Sequence, residues 1–235
     1  MAYIGFLPCR SGSERVPNKN MRPFAGFANG LLELKLEQMA AVPALEKILV
    51  SSNDPAVLDY AADFAAQRDP RVIPVPRPDE YGQSSTSMDD FIHYIAELDR
   101  DGTIVWTHVT SPFITSALYR RGIADYEAAI ARGHDSLVSV TRLQRFFWDD
   151  EGPVNYNRSV EKWPRSQDLK PLMEINHALY ILPFALMRAV GDRVGRTPFF
   201  YHIDEHDAAD IDWEPQFDLL EKIMRLKQQE GGTVI

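Results

Sequence analysis

An α/β fold, built on a mostly parallel sheet with helices on both faces, is predicted by this sequence from three observations. Short apolar runs of strand character alternate along the chain with amphipathic segments of helical period, the order that builds parallel sheets. The chain has 235 residues, 45% of them hydrophobic, enough to bury a full core as one domain over 1–235. The first strand also empties into a polar, cation-rich loop, the place where open α/β sheets hold their ligands.

Taken in order, Ala2–Leu7 is a short apolar run that reads as a buried first strand. Pro8–Asn20 follows, reading P-C-R-S-G-S-E-R-V-P-N-K-N, with Gly12, Ser13 and Pro17 marking a loop. Between Arg10 and Arg22 four cations (Arg10, Arg15, Lys19, Arg22) stand against the single anion Glu14, a local formal charge of +3 in a chain of net charge −9. A small basic patch at the carboxyl end of a strand suits a compact phosphorylated ligand better than a nucleic-acid backbone, which the rest of the chain would repel.

Over Leu31–Val42, Leu32, Leu36 and Met39 recur at helical spacing with Glu33, Lys35 and Glu37 between them, a helix laid on a sheet. Lys47–Ser51 predicts a second strand. Asn53-Asp54-Pro55 predicts a helix start with Asp54 as cap, running to about Gln67. Arg71–Val75 is a third strand, closed by Pro74, Pro76 and Pro78. Ser87–Asp99 then shows an apolar face of Phe91, Ile95 and Leu98, with His93 expected on the inner side.

Thr103–Val109 is the most strand-like run of the middle chain and stops at Thr110-Ser111-Pro112. Ser116–Arg132 reads as an amphipathic helix and Asp135–Thr141 as a strand. From Leu143 to Leu172 the rhythm breaks: Arg145-Phe146-Phe147-Trp148, Tyr156 and Trp163 are scattered among Asp, Glu, Gly and Pro, an excursion that is a lid, a hairpin or a dimer arm. Glu174–Leu182 returns to strand character, Pro198–Ile203 is a last apolar run, and Glu214–Gln228 is a helix with Phe217, Leu220 and Met224 on one face.

Ahead of that helix five acids fall within the nine residues from Asp204 to Asp212. Asp210-Ile211-Asp212-Trp213 alternates acid with apolar, which in extended backbone puts both carboxylates on one side. Two hard oxygen ligands side by side suit Mg²⁺. The nearby His202 and His206 do not follow the order of the zinc proteases.

Composition excludes several classes. No run of about 18 apolar residues exists, so no membrane span is expected. The first residues lack a secretory pattern, and a cytoplasmic protein is expected. The single Cys9 excludes an internal disulfide and a cysteine-based metal cluster. A calculated pI near 5.2 argues against a nucleic-acid partner.

Pro8-x-Arg10-x-Gly12-Ser13-x-Arg15-x-Pro17-x-Lys19-Asn20 resembles the N-terminal signature of the acylneuraminate cytidylyltransferases, or CMP-sialic acid synthetases, and their near relatives. The resemblance continues in order along the chain. Arg77-Pro78 and the polar run through Gly82 and Gln83 look like that family's second nucleotide-facing loop. Thr107-His108-Val109-Thr110-Ser111-Pro112 resembles its leucine-glutamine-proline-threonine-serine-proline motif, and Asn176-His177-Ala178-Leu179-Tyr180 its asparagine-glycine-alanine-isoleucine-tyrosine. Pro164–Asp168 resembles a piece that contacts the sugar, and Asp210-Ile211-Asp212 the metal motif.

What the resemblance implies is a three-layer Rossmann-like nucleotide-diphospho-sugar transferase fold, working as a homodimer through the 143–172 excursion. The implied reaction couples CTP, with Mg²⁺, to a 2-keto-3-deoxy sugar acid, giving a CMP-sugar and pyrophosphate. Arg10, Lys19 and Asp212 are the implied catalytic residues. Arg10, Gly12, Ser13, Arg15, Lys19, Asn20, Arg77, Gly82 and Gln83 are implied around the nucleotide, and Asp210 with Asp212 around the metal. His108, Ser111, Arg165, Gln167, Asn176 and His177 are implied at the sugar acid, with the fork of Arg165 on its carboxylate.

Two departures bear on the substrate. His108 stands where that family has glutamine, and an imidazole cannot read the same hydroxyl pattern as an amide. His177 stands where it has glycine, which re-lines the pocket. Alternatives therefore stay open: an acid of the 3-deoxy-manno-octulosonate, legionaminic or pseudaminic type, or a phosphonate. From another class, a nucleotide-binding module without turnover is the rival.

Overall fold

The computed structural model describes residues 2–235. Its centre is a seven-stranded sheet in the order β3-β2-β1-β4-β8-β5-β9. The strands are β1 (Tyr3–Pro8), β2 (Leu45–Ser52), β3 (Val72–Pro76), β4 (Thr103–Trp106), β5 (Ser136–Leu143), β8 (Leu172–Pro183) and β9 (Pro198–His202). Between β5 and β8 lies a separate two-stranded ribbon, β6 (Trp148–Asp149) with β7 (Gly152–Pro153). All pairings in the large sheet are parallel except those of β8, which runs antiparallel to both β4 and β5.

Six helices cover the sheet: α1 (Gly30–Ala40), α2 (Pro55–Gln67), α3 (Met88–Ala96), α4 (Ser116–Ile130), α5 (Phe184–Val190) and α6 (Glu214–Gln229). The strands divide their side chains by the period of two. Tyr3 and Leu7 of β1, with Val105 of β4 and Leu179 and Ile181 of β8, face one core, closed by residues of α1, α2, α4 and α6. Ile4, Phe6, Ile104, Trp106, Tyr180 and Leu182 face the other, closed by α3 and α5. The three-layer α/β architecture expected from the alternation of strands and helices is therefore present.

Several details differ from the sequence reading, each for a physical reason. The strand expected to reach Val109 ends at Trp106; Thr107 still donates its amide to the Phe6 carbonyl (3.1 Å), with its hydroxyl on the Ala178 carbonyl (2.9 Å) and the Tyr119 hydroxyl (2.7 Å), and the chain then turns through Thr110-Ser111-Pro112. The seven-residue α5 is too short to show a period. His93, expected on the inner side of its helix, is exposed and bonds through Nδ1 to the Asp89 carbonyl. Lys35, read as part of a polar face, is fully buried. The aromatic excursion folds back on its own root: Asn155 donates to the carbonyls of Arg145 and Lys170 (2.9 and 2.8 Å), and Phe146 packs on Tyr156 and Trp163. No helix among the described residues is long and apolar enough to cross a membrane.

One backbone feature ties the front loop to the fold. Gly30 opens α1 with φ at +64°, and a Cβ there would lie 2.1 Å from the Arg22 carbonyl oxygen. Two residues on, the Leu32 amide donates to the Asn20 carbonyl (2.9 Å), so the end of the loop hangs on the first turn of this helix. Gly30→Ala should cost at least about 2 kcal/mol in urea unfolding, from left-handed backbone strain plus that contact. An unchanged midpoint would show that the turn relaxes without cost.

Candidate active site

The loop after β1 is built to hold a fixed shape over a polar floor. The Cys9 amide donates to the Ser51 carbonyl (2.9 Å) and the Ser11 amide to Asn53 Oδ1 (3.0 Å), so the neighbouring strand carries its first residues. Gly12 turns the chain with φ at 70°, a region open to glycine without strain. Val16 is buried in the core and pins the middle. Asn20 closes the loop by donating from Nδ2 to the Arg10 carbonyl (3.1 Å). Gly82 supports this from outside: a Cβ there would come within 2.6 Å of the Asn53 side chain that holds Ser11.

A cavity of about 480 Å³ opens on one side of the loop. Of the residues singled out in the sequence, Arg10, Ser13, Arg15, Lys19, Asn20, Arg77, Gln83 and His108 line it. Gly12 faces a second depression, on the side of Asp54 and Ala56, which Arg10, Ser13, Lys19 and Asn20 also border. Arg77 is a fixed cation in the floor. Its Nε donates to Ser51 Oγ (3.1 Å), Nη2 to the Ser51 carbonyl (2.6 Å), and its guanidinium lies 4.5 Å from the Phe91 ring centre. Burial pushes that guanidinium down to about 10, still charged at neutral pH.

The acidic pair arrives from the far end of the chain. Lys19 donates from Nζ to the carbonyl of Ile211 (2.8 Å), the residue between the two aspartates. Arg15 pairs with Asp212 (2.9 Å) and lies over the Trp213 ring. Burial pushes the Lys19 ammonium down, while Asp210 and Asp212 push it back up. The start of α6 fixes this segment, because Gln216 Oε1 accepts from the amides of both Asp212 (2.7 Å) and Trp213 (2.8 Å). Asp210 accepts from the Ser111 hydroxyl (3.3 Å), and the Ile211 amide donates to the Thr110 carbonyl (2.9 Å). Two carboxylates beside a polyanion-sized cavity are a donor set suited to Mg²⁺, which completes its shell with water and phosphate oxygens. Among the described residues no cluster of three or more His, Cys, Asp or Glu side chains forms an all-protein cage.

Lys35 lies beneath this junction. It donates to the carbonyls of Ser111 (2.8 Å) and Ile114 (3.3 Å), and burial pushes its ammonium down to about 7. It thus braces the turn that carries Ser111 to Asp210. In the sequence its polar neighbours Glu33 and Glu37 disguise it as part of a solvated face. Tyr81, Phe91 and Trp106 also line the cavity, and nothing but their bulk marks them in the sequence.

The remaining candidates separate. Asn176 is buried, accepting from Ser139 Oγ (2.6 Å) and the Ala178 amide (3.2 Å) and donating to Thr141 Oγ1 (3.0 Å), so its side chain is committed inside the fold. His177 has φ at 58°, a strained state for a side-chain-bearing residue that costs on the order of 1–3 kcal/mol. That supplies a backbone reason, beyond room, for a glycine at this position. Its Nδ1 meets the Tyr180 hydroxyl (2.6 Å) and Arg193 Nη2 (3.2 Å). Arg165 is 79% exposed and paired with Asp168, and the Gln167 carbonyl accepts from Gln144; neither lines the cavity of its own chain.

A family profile described as cytidylyltransferase matches residues 4–230. The pseudaminic acid cytidylyltransferase of Campylobacter jejuni is 26% identical over 176 residues, covering 72% of this chain and 73% of that protein. The CMP-N,N'-diacetyllegionaminic acid synthase of Legionella pneumophila is 23% identical over 252 residues, covering 97% and 99%. In fold, the chain is similar to a CMP:2-keto-3-deoxy-manno-octonic acid synthetase complexed with CTP (TM-score 0.66, 14% identity, 98% and 100% covered). It is also similar to a 4-diphosphocytidyl-2C-methyl-D-erythritol synthase from Anaerococcus prevotii (TM-score 0.65, 12% identity, 95% and 98% covered).

His108 makes the site's electrostatics measurable. Burial, with the positive charge of Arg193 beside it, pushes its imidazole from 6.5 down to about 3. Between those values the unfolded chain holds a proton that the folded chain lacks, so this group's share of stability rises with pH and is lost as pH falls from 6.5. His108→Gln should flatten the pH dependence of the urea midpoint between about pH 5 and 6.5. An identical slope in the variant would show that His108 protonates freely in the folded state.

Proposed function

We propose, on the premise that the chain belongs to the cytidylyltransferase family, that it couples CTP to a 2-keto-3-deoxy sugar acid and releases pyrophosphate. The observation that carries this reading is the meeting of the front loop with the acidic pair, through Lys19 on the Ile211 carbonyl and Arg15 on Asp212. Cations for a triphosphate thereby line one cavity, and two of them, Lys19 and Arg15, tie to it the segment that carries carboxylates for its metal. Relatives named for pseudaminic and diacetyllegionaminic acid support nonulosonic acids of those types ahead of sialic acid itself. So do the imidazoles at His108 and His177.

In this mechanism an anomeric hydroxyl of the sugar attacks the α-phosphorus in line, and pyrophosphate leaves on the opposite side. No covalent enzyme intermediate forms, so the protein contributes position and charge. Arg10 and Lys19 neutralise the triphosphate and the departing pyrophosphate, with backbone amides of Gly12 and Ser13 cradling the oxygens. Asn20, Arg77, Gly82 and Gln83 shape and hold the nucleotide end. Asp210 and Asp212 would hold Mg²⁺, which when bound supplies charge stabilisation at the phosphate oxygens. Arg15 neutralises Asp212 in the free protein and turns to the phosphates on binding.

The excursion would serve a homodimer. Phe146, Trp148, Val160 and Trp163 leave 39%, 48%, 83% and 67% of their surface exposed, an apolar face suited to a second copy. Across such an interface Arg165 and Gln167 would reach the sugar end of the partner's cavity. We place the protein in the cytoplasm, where CTP is available. Sedimentation should give twice the mass of one chain, and a monomer at micromolar concentration would remove the arm from this reading.

Pyrophosphate release is the direct test, with CTP, Mg²⁺ and a panel of pseudaminic, diacetyllegionaminic, 3-deoxy-manno-octulosonic and N-acetylneuraminic acids. One of the first two should be turned over fastest. Release with none, alongside tight CTP binding, would favour a module that binds without turnover. Lys19→Ala should lower kcat by about 100-fold or more with the fold intact. Asp212→Asn should abolish magnesium-dependent release. Turnover of that variant in excess chelator would reassign the carboxylates.

A further inference from the structure

We infer that Arg193 is the receptor for the carboxylate of the acid substrate, a role that rests on the sugar-acid reading above. Arg193 belongs to the connection between α5 and β9, outside every motif singled out in the sequence. Its guanidinium lies 4.5 Å from the Tyr180 ring centre and 5.3 Å from that of Trp106. Trp106 and His108 line the cavity, and their rings are 5.9 Å apart. Arg193 also exerts the largest ionic influence on His108. The cation therefore stands behind the lining at its His108 end, one aromatic ring back from the cavity wall.

Three features make this corner fit a carboxylate. First, the guanidinium is uncompensated: among the described residues no Asp or Glu oxygen lies within 4.0 Å of it. Arg165 differs in being 79% exposed and already paired with Asp168. Second, aromatic contact stacks the guanidinium and leaves its N–H edge for an in-plane, two-bond grip on an anion. Third, the neighbouring His177 imidazole is a donor of fixed orientation. Arg193 can only donate, so His177 Nδ1 accepts at 3.2 Å, and its ring proton is placed on Nε2.

A cation whose only task was to brace Tyr180 would have no preference for charged substrates. The assignment instead makes Arg193 the group that distinguishes an acid from its ester, while CTP is held elsewhere. Arg193→Met removes the charge, and Arg193→Lys keeps charge and ring contact but loses the fork.

For an acid that the wild type turns over, Arg193→Met should raise its KM on the order of 10- to 100-fold, with the KM for CTP unchanged. Arg193→Lys should fall between. A second arm uses 2-hydroxyisobutyrate, whose quaternary α-carbon carries hydroxyl and carboxylate as the anomeric carbon of a ring-form 2-keto acid does. In imidazole ¹H–¹⁵N spectra it should shift the His108 and His177 signals of the wild type, whereas its methyl ester should not. Both shifts should vanish in Arg193→Met; should that variant fail to fold, Arg193→Lys should need a several-fold higher concentration to reach the same shifts. Shifts that survive in Arg193→Met or need no higher concentration in Arg193→Lys, or no shift in the wild type, overturn the assignment. If no acid on the panel releases pyrophosphate yet the shifts depend on Arg193, the sugar-acid reading falls and the carboxylate receptor stands.

Discussion

The site depends on a bond between groups that are distant in sequence, the ammonium of Lys19 on the carbonyl of Ile211. Withdrawing that ammonium from water costs free energy, and the carbonyl and the aspartates on either side offset the cost. The same bond brings the loop after β1 against the segment ahead of α6. Each side has its own anchor in the fold. The loop hangs on Ser51, Asn53 and the first turn of α1, and the acidic segment on Gln216 and Thr110. Lys35 braces the turn between them from below.

Charge distribution follows from this arrangement. The chain carries −9 overall, yet Arg10, Arg15, Lys19 and Arg77 converge on one cavity. The net charge opposes the approach of a polyanion, and the cations gathered at this cavity favour it locally. Asp210 and Asp212 would repel its phosphates in turn, so the proposed reaction needs a divalent cation between them. Beside Trp106, which lines the cavity, Arg193 adds a cation held by aromatic faces rather than by a carboxylate.

Much of this was legible in the sequence, because period and composition encode it directly. Runs such as Ile48–Val50 and the spacing of Leu32, Leu36 and Met39 set the strands and helices, and the cations from Arg10 to Lys19 marked the loop. The Asp-Ile-Asp alternation marked the other half of the junction. What was hidden lies in features that pattern does not encode. Strand direction leaves no trace in a two-residue period, so the reversal of β8 was invisible. Lys35 differs from a surface lysine only in what packs around it. His177 occupies left-handed backbone that its side chain does not advertise. Arg193 comes onto the Trp106 and Tyr180 rings from a connection with no period at all.

Amide hydrogen exchange tests the central claim most directly, because it reports on both halves of the junction at once. CTP alone should slow exchange in the loop from Arg10 to Asn20. Adding Mg²⁺ should extend the protection to the amides from Ala208 to Trp213. Protection of the loop with no magnesium-dependent change at the acidic segment would contradict a shared ligand and leave that segment a structural prop for Lys19.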